Sequence, residues 1–120
     1  MTDIGLSLRL DLTSQDSIGP GKIALLEAIR SYGSISAAAR RLGVSYRRAW
    51  LLVEQINDGL STPAVTAAQG GPSGGGAVLT PVGEQVVELY RKIESHTRSS
   101  ANGEIRALGK LMRRRQKARA

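Results

Sequence analysis

The stretch from Gly33 to Val53, GSISAAARRLGVSYRRAWLLV, constrains the fold more than any other part of this chain. It holds four arginines (Arg40, Arg41, Arg47 and Arg48) and no acidic residue. The residue types predict a short alanine-rich helix ending at Leu42, a turn at Gly43 and a second helix from Ser45. Ala38 and Ala39 are small enough for two steeply crossing helices to touch. Gly43 tolerates the left-handed backbone of a C-terminal cap, and Val44 is expected to fold back as the apolar plug of the turn. Ser45 is a good N-cap, and Ala49, Val53, Ile56 and Leu60 recur at helical spacing as an inward stripe. Tyr46, Arg47 and Trp50 lie off that stripe. An antiparallel helix pair with surface arginines shares part of this pattern. A helix-turn-helix accounts for all of it, because the side chains after Ser45 then stand at the leading end of a helix, where base edges can be reached.

The next segment strengthens that expectation. Ala64, Val65, Thr66 and Ala67 suit a strand, GGPSGGG (Gly70 to Gly76) a turn, and Ala77, Val78 and Leu79 a return strand. A hairpin directly behind such a helix is the wing of a winged helix. A flexible linker is the competing use of the glycines. A phosphate-cradling loop fits less well, since no Gly-Lys-Ser/Thr closes the run and no helix opens from it.

Around these motifs the chain offers few other chemistries. Its 120 residues without an internal repeat fit one domain with extensions. There is no cysteine, which removes disulfides, thiolate zinc sites and thiol catalysis. No stretch approaches the roughly 20 apolar residues of a membrane span, and MTDIGLSLRL is not a signal peptide, so cytoplasmic residence is the default expectation. His96 is the sole histidine and stands in a polar segment, so no nucleophile, base and orienting group are seen to converge, and no enzyme is expected. The net charge of +7 is carried by the end of the chain, where residues 106–120 hold seven basic groups and no acid. Residues 1–105 balance ten basic against ten acidic residues. What favours nucleic acid in the domain is therefore local segregation, basic from Arg40 to Arg48 and acidic later at Glu54 and Asp58. The tail is open between touching phosphates and serving as a solvated end.

Leu6, Leu8, Leu10 and Leu12 alternate with polar residues, as a strand with one buried face does. Such a strand is expected to join the hairpin as a third member. Pro20 opens a helix with Ile23, Leu26 and Ile29 inward, widened by Ala24 and Leu25, and Gly33 ends it. Ser34 or Ser36 caps the next helix. Thr80 and Pro81 start another, with Val82, Val86, Leu89, Tyr90 and Ile93 along one side. Its apolar side needs either the parent domain or the same helix of a second copy, and a twofold dimer is favoured. Ser99 to Gly103 (SSANG) weakens this helix.

From about Leu6 to Ile93 the chain resembles the N-terminal DNA-binding domain of the ModE family of molybdate-responsive bacterial regulators, itself related to the LysR-type winged helix. KIALLEAI (Lys22 to Ile29), GSIS with its alanine-rich helix, SY and AW within Ser45 to Trp50, and GGGAVLT (Gly74 to Thr80) followed by Gly83 carry the likeness. The resemblance implies a winged-helix transcription factor that dimerises through helices flanking the wing. Two departures matter. Family members sense molybdate with a further C-terminal domain, so molybdate binding is not expected from this chain alone. The family wing often bears basic residues, whereas no positive charge stands between Arg48 and Arg91 here, leaving backbone amides and hydroxyls such as Ser73.

The expected fold is mainly α with a small antiparallel β-sheet: a winged helix-turn-helix over residues 1–98, including a C-terminal dimerisation helix at about 81–98, then a basic extension over 99–120. The expected function is a sequence-specific DNA-binding transcriptional regulator, with a recognition helix at about 45–60 in the major groove and a wing at about 63–79 on the backbone. Tyr46 and Arg47, then Arg48, are the candidates for base edges. Ser34, Ser36, Arg40 and Arg41 are candidates for phosphates, and Ser45 and Ser73 complete the DNA-binding set. Trp50 is open between packing and readout. Partners are double-stranded DNA and a second copy, with no cofactor, no metal and no membrane. A non-specific architectural DNA binder using the tail, and a winged-helix protein-interaction module, are the alternatives.

Overall fold

Pro20 and Gly33 bracket the helix around which the rest of the molecule is built. In the computed structural model, which describes residues 4–13, 16–68 and 75–113, helix α1 spans Pro20–Tyr32. Its Ile23, Leu25, Leu26 and Ile29 are fully buried. Gly33 then takes a left-handed φ of 76° and its amide donates to the Ile29 carbonyl. Helix α2 (Ile35–Leu42) and helix α3 (Tyr46–Asp58) follow. Ser34, not Ser36, caps α2, and Ser45 caps α3. Ala38 and Ala39 of α2 and Ala49 of α3 are buried at their packing. Gly43 is left-handed between them, with φ of 74°, a region where a side chain would be strained.

Val44 departs from expectation. Its amide closes the cap on the Ala39 carbonyl at 3.0 Å, but its side chain remains 36% exposed. The turn is closed by backbone hydrogen bonds from the Gly43 and Val44 amides.

Strands β3 (Val65–Ala67) and β4 (Ala77–Leu79) pair antiparallel, with Val65 opposite Leu79 and Ala67 opposite Ala77. The hairpin is tied down at both ends of β4. The Ala77 amide donates to the Gly33 carbonyl at 2.9 Å. The Thr80 amide donates to the Ala64 carbonyl at 2.9 Å, and the Thr80 hydroxyl donates to the Pro63 carbonyl at 2.7 Å.

Helix α4 (Pro81–Ser100) starts on Thr80, whose Oγ1 also accepts from the Gly83 amide. A Cβ on Gly83 would collide with the Ala64 carbonyl, so glycine here sets how closely α4 approaches the hairpin. The buried face of α4 is Gly83, Val87 and Tyr90. The apolar side read from the sequence therefore splits. Tyr90 joins the core, Val82 and Val86 are half-buried, and Leu89 (55%) and Ile93 (38%) face outward. The helix breaks at Ala101 and restarts as α5 (Asn102–Leu111), which buries no residue.

The N-terminal segment corrects a second expectation. Ile4, Leu6, Leu8 and Leu10 are half-buried in alternation with exposed residues, so the period of two is real. Its partner, however, is local: β1 (Leu10–Asp11) pairs antiparallel with β2 (Ser17–Ile18), forming a separate two-stranded sheet rather than a third strand of the hairpin. The segment runs against α4, where the Tyr90 hydroxyl donates to the Leu8 carbonyl at 2.6 Å. Burial pushes that phenol above its usual range. Beside it, Arg91 binds Glu27 of α1 through two nitrogens, at 3.0 and 2.7 Å, and Glu94 at 2.6 Å. The Arg91 hydrogen bond, ahead of its charge, holds the Glu27 carboxyl below the usual carboxylate range.

Candidate nucleic-acid interface

The α2–α3 crossing places its four arginines in solvent by two different routes. Arg40 and Arg41 occupy the last turn of α2, where the helix dipole favours cations. Arg47 and Arg48 occupy the first turn of α3, which holds no acid. A cation there opposes the dipole at a cost of about 0.3–1 kcal/mol. All four are exposed, and among the described residues none of them forms an ion pair or side-chain hydrogen bond. A local rule is broken and nothing within the described protein compensates for it. An external anion would do so, since it would meet the arginines and the positive end of α3 together.

The hydroxyls are arranged to help. Ser34 Oγ accepts from the Ala37 amide at 3.0 Å and Ser45 Oγ from the Arg48 amide at 3.0 Å. Each cap uses oxygen lone pairs and leaves the O–H free to donate. Ser36 is exposed on α2. Ser73 lies outside the described residues.

The outer face of α3 carries apolar side chains as well as charge. Tyr46 is 56% exposed, Trp50 43% and Leu51 42%, so Trp50 is not a core residue. Tyr46, Arg47, Trp50, Leu51 and Glu54 line a concavity of about 380 Å³ on this face. Tyr46, Trp50 and Glu54 also border a groove of about 500 Å³ whose far wall is the hairpin, at Thr66, Ala67 and Gly76.

Two contributors escaped the sequence reading. Leu51 follows Arg47 by one helical turn on the same face, a spacing that could have marked it. Asn57 left no signal, being one more polar residue near a helix end. Its Oδ1 accepts from the Ala64 amide at 2.8 Å and the Val65 amide at 3.2 Å, and its Nδ2 donates to the Val65 carbonyl at 3.2 Å. One side chain thus ties α3 to the start of β3 and sets the spacing between helix and hairpin.

This arrangement has solved counterparts. A crystal structure of a CbnR_DBD–DNA complex matches with a TM-score of 0.56 at 24% identity, covering 72% of this chain and 95% of that one. ArgP from Mycobacterium tuberculosis matches at 0.52 and 21%, covering 72% of this chain and 30% of that one. At these identities the likeness establishes the fold alone, a winged helix. Sequence relatives reach further. "Molybdenum-pterin-binding protein MopB" of Rhodobacter capsulatus is 54% identical over 78 residues, which is 65% of this chain and 29% of that protein. The "DNA-binding transcriptional dual regulator ModE" of Escherichia coli is 40% identical over 83 residues, 69% of this chain and 32% of that protein. About two thirds of this chain is thus similar to part of these MopB and ModE proteins. "Molybdenum transport protein ModE" of Azotobacter vinelandii extends the match to 88% of this chain at 33% identity, again over 43% of its own length. The chain thus spans less than half the length of these ModE and Mop relatives. No protein-family model matches it. Among the described residues no helix is long and apolar enough to cross a membrane.

Proposed function

We propose that this chain is the DNA-binding unit of a ModE-like transcriptional regulator, acting in the cytoplasm as a homodimer on a sequence-specific duplex site. The observation that carries the proposal is the set of four exposed arginines with no side-chain partner among the described residues, two of them set against the dipole of α3. In this reading α3 enters the major groove, and Tyr46 and Arg47, with Arg48 beside them, meet base edges. Ser34, Ser36, Arg40, Arg41 and Ser45 hold phosphates and fix register. The hairpin follows the backbone and adds little charge, since no basic residue stands between Arg48 and Arg91. The names of the ModE relatives support this reading, as does the DNA-bound state of a structural counterpart.

The second copy is placed on α4 and α5. Leu89 and Ile93 of α4 and Leu108 and Leu111 of α5, with Met112 just beyond, are exposed, and α5 buries nothing of its own. A twofold pairing there would present two α3 helices to half-sites about one DNA turn apart. The DNA-binding domain is assigned to residues 1–98 and the extension to 99–120, whose α5 segment takes part in this pairing. No catalytic step is assigned.

The test separates reading from holding. Arg47→Ala is expected to erode the preference for specific over random duplex by tenfold or more, since a bidentate arginine–guanine pair contributes about 1–3 kcal/mol of discrimination. Arg41→Ala is expected to weaken both duplexes alike and lower the salt slope by about 0.9. Titrations at fixed salt in which the two variants behave identically would overturn this division of labour.

A further inference from the structure

We propose that Trp50 and Leu51 form an apolar reading surface that selects thymine by its C5-methyl group, so that part of the target site consists of A·T pairs recognised without hydrogen bonds. The inference rests on the DNA-binding reading above and adds a sequence class to it. Three large apolar side chains, Tyr46, Trp50 and Leu51, stand exposed on the outer side of α3, while the inner side supplies Ala49, Val53 and Ile56 to the core. With Arg47 and Glu54 they line an open concavity of about 380 Å³.

Its occupant follows from charge and polarity together. Arg47 and the neighbouring unpaired arginines draw a polyanion to this face, which disfavours a second copy of the same basic surface. Glu54, on the same concavity, would repel a phosphate, so the part of the polyanion that reaches Trp50 and Leu51 is the base edge. Major-groove edges present mostly hydrogen-bonding groups, and the thymine C5-methyl is the one methyl group among them. A polar base atom facing Trp50 or Leu51 would lose water and gain no partner. A methyl group would gain contact area from both.

The experiment first selects duplexes from a random-sequence library with the full chain. Each recurrent thymine is then replaced by deoxyuridine, which removes the methyl and keeps pairing and charge. Competition titrations at fixed salt are expected to show about a fourfold loss at one or two positions per half-site, the factor for one buried methylene-sized group. Trp50→Ala is expected to bind the thymine and deoxyuridine duplexes equally at one of those positions, and Leu51→Ala provides the same comparison independently. Both side chains are substantially exposed, so circular dichroism should show both variants folded. Selected sites without a recurrent thymine, sites indifferent to deoxyuridine, or variants that keep the wild-type thymine preference would each overturn the inference. Specific binding would persist in all three, and the regulator reading with it. Failure to select any duplex would sink both.

Discussion

Helices α3 and α4 each bury one apolar stripe and turn another set of large side chains outward, yet they treat their cations oppositely. On α4, Arg91 is bound by Glu27 and Glu94, Lys92 lies 3.8 Å from Glu88, and Glu84 takes Arg30 of α1. Around the start of α3, Arg40, Arg41, Arg47 and Arg48 have no such acids among the described residues. The same residue type is neutralised in one place and held available in the other. Residues 1–105 have no excess of either sign, so total charge would have hidden this difference. Where charge is satisfied, the outward Leu89 and Ile93 suit a protein surface. Where it is free, the outward Trp50 and Leu51 sit among groups that attract phosphate.

The largest expected effect sharpens the α4 half of that contrast. Leu89→Glu combined with Ile93→Glu is expected to weaken self-association at least ~100-fold, because each lost contact counts twice across a twofold interface. Sedimentation equilibrium would show a monomer, with the melting temperature of the isolated fold little changed. An unaltered dimer mass would remove α4 from the interface.

A smaller effect, about 1 kcal/mol, concerns the ion pair that docks α4 on α1. The Glu27 carboxyl titrates lower in the folded chain than in the unfolded one. The folded state therefore binds fewer protons in that range, and the stabilisation is complete above the unfolded carboxylate value. It is lost as pH falls through the lowered folded value. Glu27→Gln should remove that part of the acid sensitivity in denaturant melts between neutral and acidic pH. An unchanged pH profile would mean the pair contributes nothing.

The smallest effect has an unusual sign. Arg47→Glu replaces a cation at the positive end of α3 with an anion, and should stabilise the fold by roughly 0.5 kcal/mol while abolishing specific duplex binding. A loss of stability instead would show that Arg47 has a structural role, and would blur the distinction between the two helices.

Much of this organisation was legible because caps and turns are written in local chemistry. Pro20, Ser45, Thr80 and the two left-handed glycines, Gly33 and Gly43, mark helix ends through groups they contact within a few residues. The four arginines were readable as a cluster for the same reason. Tertiary choices were harder to read. Alternation at Leu6 to Leu10 tells which side is buried but not which strand pairs, and a two-residue return at Ser17–Ile18 gives almost no signal. On α4 the adjacent apolar stripes merged, so Val87 was missed and Leu89 was grouped with Tyr90. Their separation depends on Gly83 drawing one side of the helix onto Ala64, a contact made across the fold.

Asn57 has a consequence for how such a protein would meet a duplex. With its amide fastened at both ends to the backbone of Ala64 and Val65, the rod and the hairpin lack an independent hinge where they join. Any misfit between two grooves of a target would then have to be absorbed by the duplex itself. Stretches that bend cheaply would be preferred even where no side chain touches them.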